Sequence, residues 1–190
     1  MKVPLIILWL VVPAILFAQS PEKLISEGAY DQAIEKCVQR LKDGRGKKDE
    51  LYAALKLAYE KANEMDLQRV FTLKESGQPD IWYEVFLANY SIQERYRKVS
   101  VLGQQLQADQ VNIQLLDYST ELEAAREHAA AYLYAHAGKL LQSGSRDDAI
   151  LAYDELRKIT RLYDEFKDVT LLMRQALGAS AGTALLEFRN

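Results

Sequence analysis

Along residues 21–177 the apolar positions recur every three or four residues, the spacing of helices that bury one face. The pattern predicts an all-α chain. Ser20 followed by Pro21 opens a short helix over Pro21 to Glu27, and Gly28 closes it. Tyr30 to Lys42 sets Ala33, Ile34, Cys37, Val38 and Leu41 on one face, and a polar, glycine-containing loop runs from Asp43 to Lys48. A further pair is predicted over Asp49–Asn63 and Asp66–Lys74, with Leu51, Leu55, Ala58 and Ala62 inward on the first and Leu67, Val70 and Phe71 on the second.

The next region lacks strong helix breakers. No glycine or proline lies between Asp80 and Leu102, or between Gln104 and Ala137, so each stretch predicts a long helix. Ile81, Val85, Ala88, Ile92, Tyr96, Val99, Leu102 and Leu106 form a seam on the first. Val111, Leu115, Tyr118, Leu122, Ala125, Ala129, Tyr132, His136 and Leu140 form one on the second, for which Asp109 is the expected N-cap. A seam of about 3.5 residues predicts shallow packing over many turns, hence a long antiparallel helical hairpin over about 80–142; a second copy of the chain is another way to complete such a seam. Trp82, Tyr83, Phe86, Leu87 and Tyr90 add a second apolar stripe, which the earlier helices are expected to cover.

The carboxy-terminal pattern changes. Val169–Leu177 reads as a last short helix with Asp168 as its cap, and Gly178 and Gly182 break the periodicity beyond it. Thr183–Phe188 is short and apolar, predicting an extended tail over 183–190 that pairs with another chain, pairs with a continuation of this one, or frays. In the second case it is the start of a following β region.

The first residues read as an address rather than as fold. Lys2 precedes an uncharged stretch from Val3 to Phe17, and Ala18 offers a small residue for cleavage, with Ser20 as the less favoured alternative. The plan is therefore a signal peptide over 1–18, a helical domain over 19–182 and the tail. The stretch is shorter than the about 20 residues of a membrane span and contains Pro4 and Pro13. No stable span is expected in the mature chain. No cysteine follows the stretch, so the lipid-attachment pattern of bacterial lipoproteins is missing. The Phe-Ala-Gln-Ser ending resembles bacterial leaders, which implies a periplasmic or extracellular protein.

Composition narrows the function. The formal net charge of −3 supplies no cation excess for phosphates, which excludes a strongly basic nucleic-acid binder. Cys37 is the single cysteine of the chain, so no internal disulfide forms, and its place in an apolar pattern predicts a buried thiol.

Two segments align without a gap. Gly28-Ala29-Tyr30-Asp31-Gln32-Ala33-Ile34 and Gly144-Ser145-Arg146-Asp147-Asp148-Ala149-Ile150 share Gly, Asp, Ala and Ile, with Cys37 and Tyr153 three residues further on. This resembles the middle of a tetratricopeptide repeat, in which a glycine (Gly28, Gly144) makes the turn and a small residue (Ala33, Ala149) lets the helices approach. The resemblance covers about half of the mature chain and implies a protein-binding scaffold, because helical repeats expose concave surfaces. The interval between the two glycines is not a multiple of the repeat's about 34 residues, so the long hairpin is expected to interrupt the array.

No catalytic constellation accompanies this pattern. His128 and His136 lie eight residues apart on one predicted helix, about 12 Å, too far for one metal ion, and His136 is expected in the core. The acidic pairs Asp147-Asp148, Asp154-Glu155 and Asp164-Glu165 fall at turns and solvated faces. No phosphate loop, dinucleotide fingerprint or nucleophile elbow is found, and no cofactor or metal is implied. Tyrosine stands out, with 11 residues, either as packing or as interface; Tyr52 and Tyr59, seven apart on one face, are the candidate protein-binding residues. The expected function is a non-catalytic exported scaffold that binds protein. The alternatives are the amino-terminal adaptor of a longer enzyme or β-domain protein, and a carrier of an apolar small ligand.

Overall fold

The computed structural model of the protein describes residues 19–187, with side chains through residue 181; the leader expected over 1–18 lies outside the described residues. The described chain is helical, without a strand. Its eight α-helices are α1 (Pro21–Ser26), α2 (Tyr30–Lys42), α3 (Lys48–Glu75), α4 (Trp82–Ser100), α5 (Gly103–Ala108), α6 (Ser119–Gln142), α7 (Arg146–Leu162) and α8 (Val169–Glu187), with a 3-10 turn at Pro79–Ile81. The described residues form two compact units, one of residues 19–65 with 92–117 and one of residues 66–91 with 118–187.

In the first unit, local chemistry sets the turns. The Ser20 hydroxyl accepts the Lys23 N–H at 3.3 Å and Pro21 occupies the first turn, where a missing donor costs nothing. Gly28 takes φ +75°, so its N–H and that of Ala29 fold back on the carbonyls of Ile25 and Leu24 and close α1. The inward face of α2 is the predicted one, Ala33, Ile34, Cys37, Val38 and Leu41, and it packs with Leu51, Leu55, Ala58 and Tyr59 of α3. Val99, Leu102, Leu106 and Ile113 complete this core.

The second unit repeats the device. Gly144 takes φ +71° and the Ser145 hydroxyl accepts the Asp148 N–H at 3.4 Å, which starts α7. Ala149, Ala152, Leu156, Ile159 and Leu162 then bury one stripe of α7 among α6, α8 and the end of α3. The two turns diverge one residue later, for Ile34 is fully buried while Ile150 is 44% exposed.

Four expectations are corrected. The pair Asp49–Asn63 and Asp66–Lys74 is the single helix α3. Nothing between Asn63 and Asp66 breaks a helix, and Asn63 is buried with its side-chain oxygen accepting from Arg95 Nη1 at 3.2 Å, a polar core position rather than a turn.

The long hairpin over 80–142 does not form. Asp109 caps the carboxy end of α5 instead of opening a helix, Gln110 turns the chain at φ +55°, and residues 111–118 are non-helical. The seam residues there are still used, since Val111, Ile113 and Leu115 pack on the first core from an irregular segment.

The tail expected to be extended is helical as far as Glu187, and Phe188 lies outside the described residues. A glycine in a helix costs about 1 kcal/mol relative to alanine, and Gly178 and Gly182 stand among Leu and Ala, the best helix formers. The rest of the sequence outweighs the two breakers.

The second stripe of α4 is not covered by the earlier helices alone: Phe86 is buried, and Trp82 and Tyr83 partly buried, in the second core, which holds Val70 of α3 together with Leu122, Ala125 and Ala129 of α6. Leu87 and Tyr90 stay 37% and 44% exposed.

Candidate protein-binding grooves

Tyr52 and Tyr59 do not form a surface. They are 5% and 1% exposed, and their hydroxyls are engaged inside the first unit. The Tyr52 hydroxyl donates to Asp109 Oδ2 at 2.6 Å, beside Lys48 Nζ at 3.0 Å from the same oxygen. Burial, then the Asp109 carboxylate, pushes the Tyr52 phenol up to about 12. The Tyr59 hydroxyl accepts the backbone N–H of Leu116 at 3.0 Å. Both side chains hold the turn after α5 in place. This corrects their assignment as binding residues: a face that looks aromatic in the sequence is inward here.

Tyr163 and Tyr134 also pack. In the second unit the guanidinium carbon of Arg126 lies 5.9 Å from the Phe86 ring centre and 5.8 Å from that of Tyr163, and Tyr163 stacks on Phe166 at 5.4 Å. The Tyr134 hydroxyl donates to Asp168 Oδ1, which raises its phenol above the ordinary value, and Lys167 Nζ sits 4.3 Å from the same ring.

The histidines are side-chain partners rather than a pair. Trp82 and His128 stack at 4.3 Å, and His136 stacks on Tyr132 at 5.5 Å. His136 is half-buried at the rim rather than in the core, with Nδ1 at 2.7 Å from Glu155 Oε1. Asp148 accepts from the Ser143 hydroxyl and Asp154 pairs with Arg157, so these carboxylates stabilise α7. Among the described residues no group of three or more His, Cys, Asp or Glu is placed to hold a metal ion. No described helix is long and apolar enough to cross a membrane.

Each unit also has a hollow between two of its helices. In the first, Glu50, Ala53, Ala54 and Leu57 of α3 stand at i, i+3, i+4 and i+7, one stripe of the helix, opposite Glu22, Ile25 and Ser26 of α1. They enclose a groove of about 510 Å³. The two alanines are too small to fill the space between the helices. Leu57 is 46% exposed at its edge, so the floor is apolar and reachable. Glu22 is kept ionised below the ordinary carboxylate range, chiefly by a hydrogen bond to the Ser20 side chain and then by its own backbone N–H.

In the second unit Ala135 and Gly138 of α6 play the part of the small residues. With Tyr134, Lys139 and Leu141 they face Leu172 and Gln175 of α8 across a groove of about 430 Å³. In both cases the groove lies between the first and third helices of a helix, glycine turn, helix, connection, helix run, α1 to α3 and α6 to α8.

Neither groove is evident from the sequence pattern. The readable signal is the stripe Glu50, Ala53, Ala54, Leu57, in which Ala54 borders the predicted core face and Ala53 lies outside it. No protein-family model, curated protein or solved structure matches the chain.

Proposed function

We propose that the protein is a non-catalytic, exported helical scaffold that binds other proteins through its inter-helical grooves. The observation that carries this reading is that both three-helix runs, each turned at a left-handed glycine, leave the space between their first and third helices open. Faces of this kind, with an apolar floor and a polar rim, suit helix-in-groove or extended-peptide recognition. The resemblance of the Gly28 and Gly144 turns to a tetratricopeptide repeat supports the same reading, and Ala33 and Ala149 are 0% and 2% exposed where the paired helices approach. The leader pattern of 1–18 is the ground for export.

The adaptor alternative draws on an extended reading of the tail, whereas α8 is helical to Glu187. Photo-crosslinking in living cells tests the scaffold reading. A crosslinking residue at Leu57 or Ala135 should give discrete protein adducts, and one at exposed Gln107 should not. Adducts at neither groove would overturn it. Amino-terminal sequencing of the mature chain should begin at Gln19.

A further inference from the structure

The two grooves differ in the sign of the charge along them. Glu22 and Glu50 are the charged lining residues of the first, while Lys139 is the charged lining residue of the second. Glu50 carries an ion pair to Lys47 at 2.8 Å, but the two side chains are 63% and 80% exposed. A pair so exposed is screened by water and exchanges readily, so Glu50 can trade Lys47 for a cation brought by a ligand.

We infer that the groove between α1 and α3 takes a protein segment whose apolar side chains are flanked by lysine or arginine. An apolar side chain seats over Ala53 and Ala54, between Ile25 and Leu57, and the flanking cations meet Glu22 and Glu50. The stripe from Glu50 to Leu57 spans about 10 Å of helix, which matches two turns of a bound helix contacting at i, i+3 or i+4, and i+7. Fixed negative charge on an apolar cleft raises the local concentration of cationic segments and repels acidic ones, which is the usual source of partner choice. The second groove has no carboxylate among its lining residues and serves as the internal control.

This inference rests on the proposed reading of the grooves as protein-binding faces and adds the chemistry of one occupant. Three helical peptides about fifteen residues long, with leucine at every third or fourth position and lysine, glutamine or glutamate between, distinguish the outcomes when titrated against the intact protein by fluorescence anisotropy. The lysine peptide is expected to bind about tenfold more tightly than the glutamine peptide at low salt, with the glutamate peptide weakest, and the preference should shrink as salt rises. Glu22→Gln with Glu50→Gln should abolish the preference while leaving the glutamine peptide unchanged. Ala53→Arg fills the groove from an exposed position without removing core atoms, and should weaken all three peptides at least tenfold. Ala135→Arg in the second groove should leave lysine-peptide binding unchanged.

Equal binding of the three peptides, still lost with Ala53→Arg, would overturn the inference and leave the scaffold reading standing. Lysine-peptide binding that survives Ala53→Arg would overturn it as well, by placing the contact elsewhere on the acidic surface. No binding of any peptide, together with no adduct at Leu57, would overturn both.

Discussion

The hydroxyl of Tyr59 on α3 accepts the backbone N–H of Leu116, 57 residues later in the chain, at 3.0 Å. Residues 111–118 form no helix, so this amide has no helical carbonyl to bond, and the tyrosine stands in for one.

Tyr59→Phe keeps the ring and removes only that acceptor. The expected loss is about 1 kcal/mol, or a Tm decrease of about 2–4 °C for a chain of this size. Hydrogen exchange should localise the effect, with faster exchange at the Leu116 amide. A Tm change with exchange unaltered at Leu116 would refute the assigned role.

Gly28 and Gly144 are expected to resist substitution for a conformational reason alone. Their φ values are +75° and +71°, and a Cβ at either would meet nothing within 4 Å. Gly144→Ala should therefore cost about 1 kcal/mol, and Gly144→Asn less, since asparagine tolerates the left-handed region. Equal losses for the two replacements, read by urea unfolding, would point to sterics instead.

Stability at the two ends of the pH scale should depend on Tyr52 and Asp109. The Tyr52 phenol is pushed up to about 12 from 10.0, first by burial and then by the Asp109 carboxylate. A folded value above the unfolded one stabilises fully below about pH 10 and is lost as pH rises through about 12. Asp109 behaves oppositely. The Tyr52 hydroxyl, then Lys48, hold its carboxyl below the ordinary 3.8, so its contribution is present above that value and lost as pH falls through the lowered one. Tyr52→Phe should flatten the alkaline limb of a Tm-against-pH curve and reduce the acid limb, which Lys48 still supports. An unchanged difference between wild type and variant from pH 2 to 12 would contradict this.

Cys37 is fully buried in α2, and burial pushes its thiol up to about 12. The thiolate is the reactive form, so the native protein should not be labelled by iodoacetamide at pH 8, whereas unfolded protein should be labelled within minutes. Labelling of native protein at the unfolded rate would mean that α2 opens locally. Cys37→Ser is expected to destabilise by about 1–3 kcal/mol, because a hydroxyl there has no partner in the apolar core.

The legibility of each element in the sequence tracks the range of the interactions that decide it. The inward faces of α2 and α7, and the turns at Gly28 and Gly144, are written in local spacing, cap and glycine chemistry, and residues a few positions apart decide them. The segment 111–118 misleads because its period is helical while its outcome is set by distant partners: Asp109 is drawn to Tyr52 and Lys48, and Leu116 to Tyr59. Asn63 misleads for a related reason, since only Arg95, 32 residues away, makes it a core residue. At Gly178 and Gly182 the error is the opposite one, because two breakers stand out locally while the helix formers around them carry the larger sum. Tyr52 and Tyr59 show the limit most directly: spacing places them on one face, and nothing in the spacing says which way that face looks. The grooves depend on the absence of side-chain volume at Ala53, Ala54, Ala135 and Gly138, which no periodicity reports.

The first core takes residues from both sides of an excursion, joining Leu24 to Ala62 with Val99, Leu102, Leu106 and Ile113. Synthesis runs in one direction, so while the ribosome is still making the intervening residues the inner faces of α2 and α3 have no closing partner. Ile34, Leu55 and Tyr59 must wait for Ile113 to emerge before water is shut out. A chain cut before that position would lack part of the cover of its first core, so a truncated product is expected to expose the inner faces of α2 and α3.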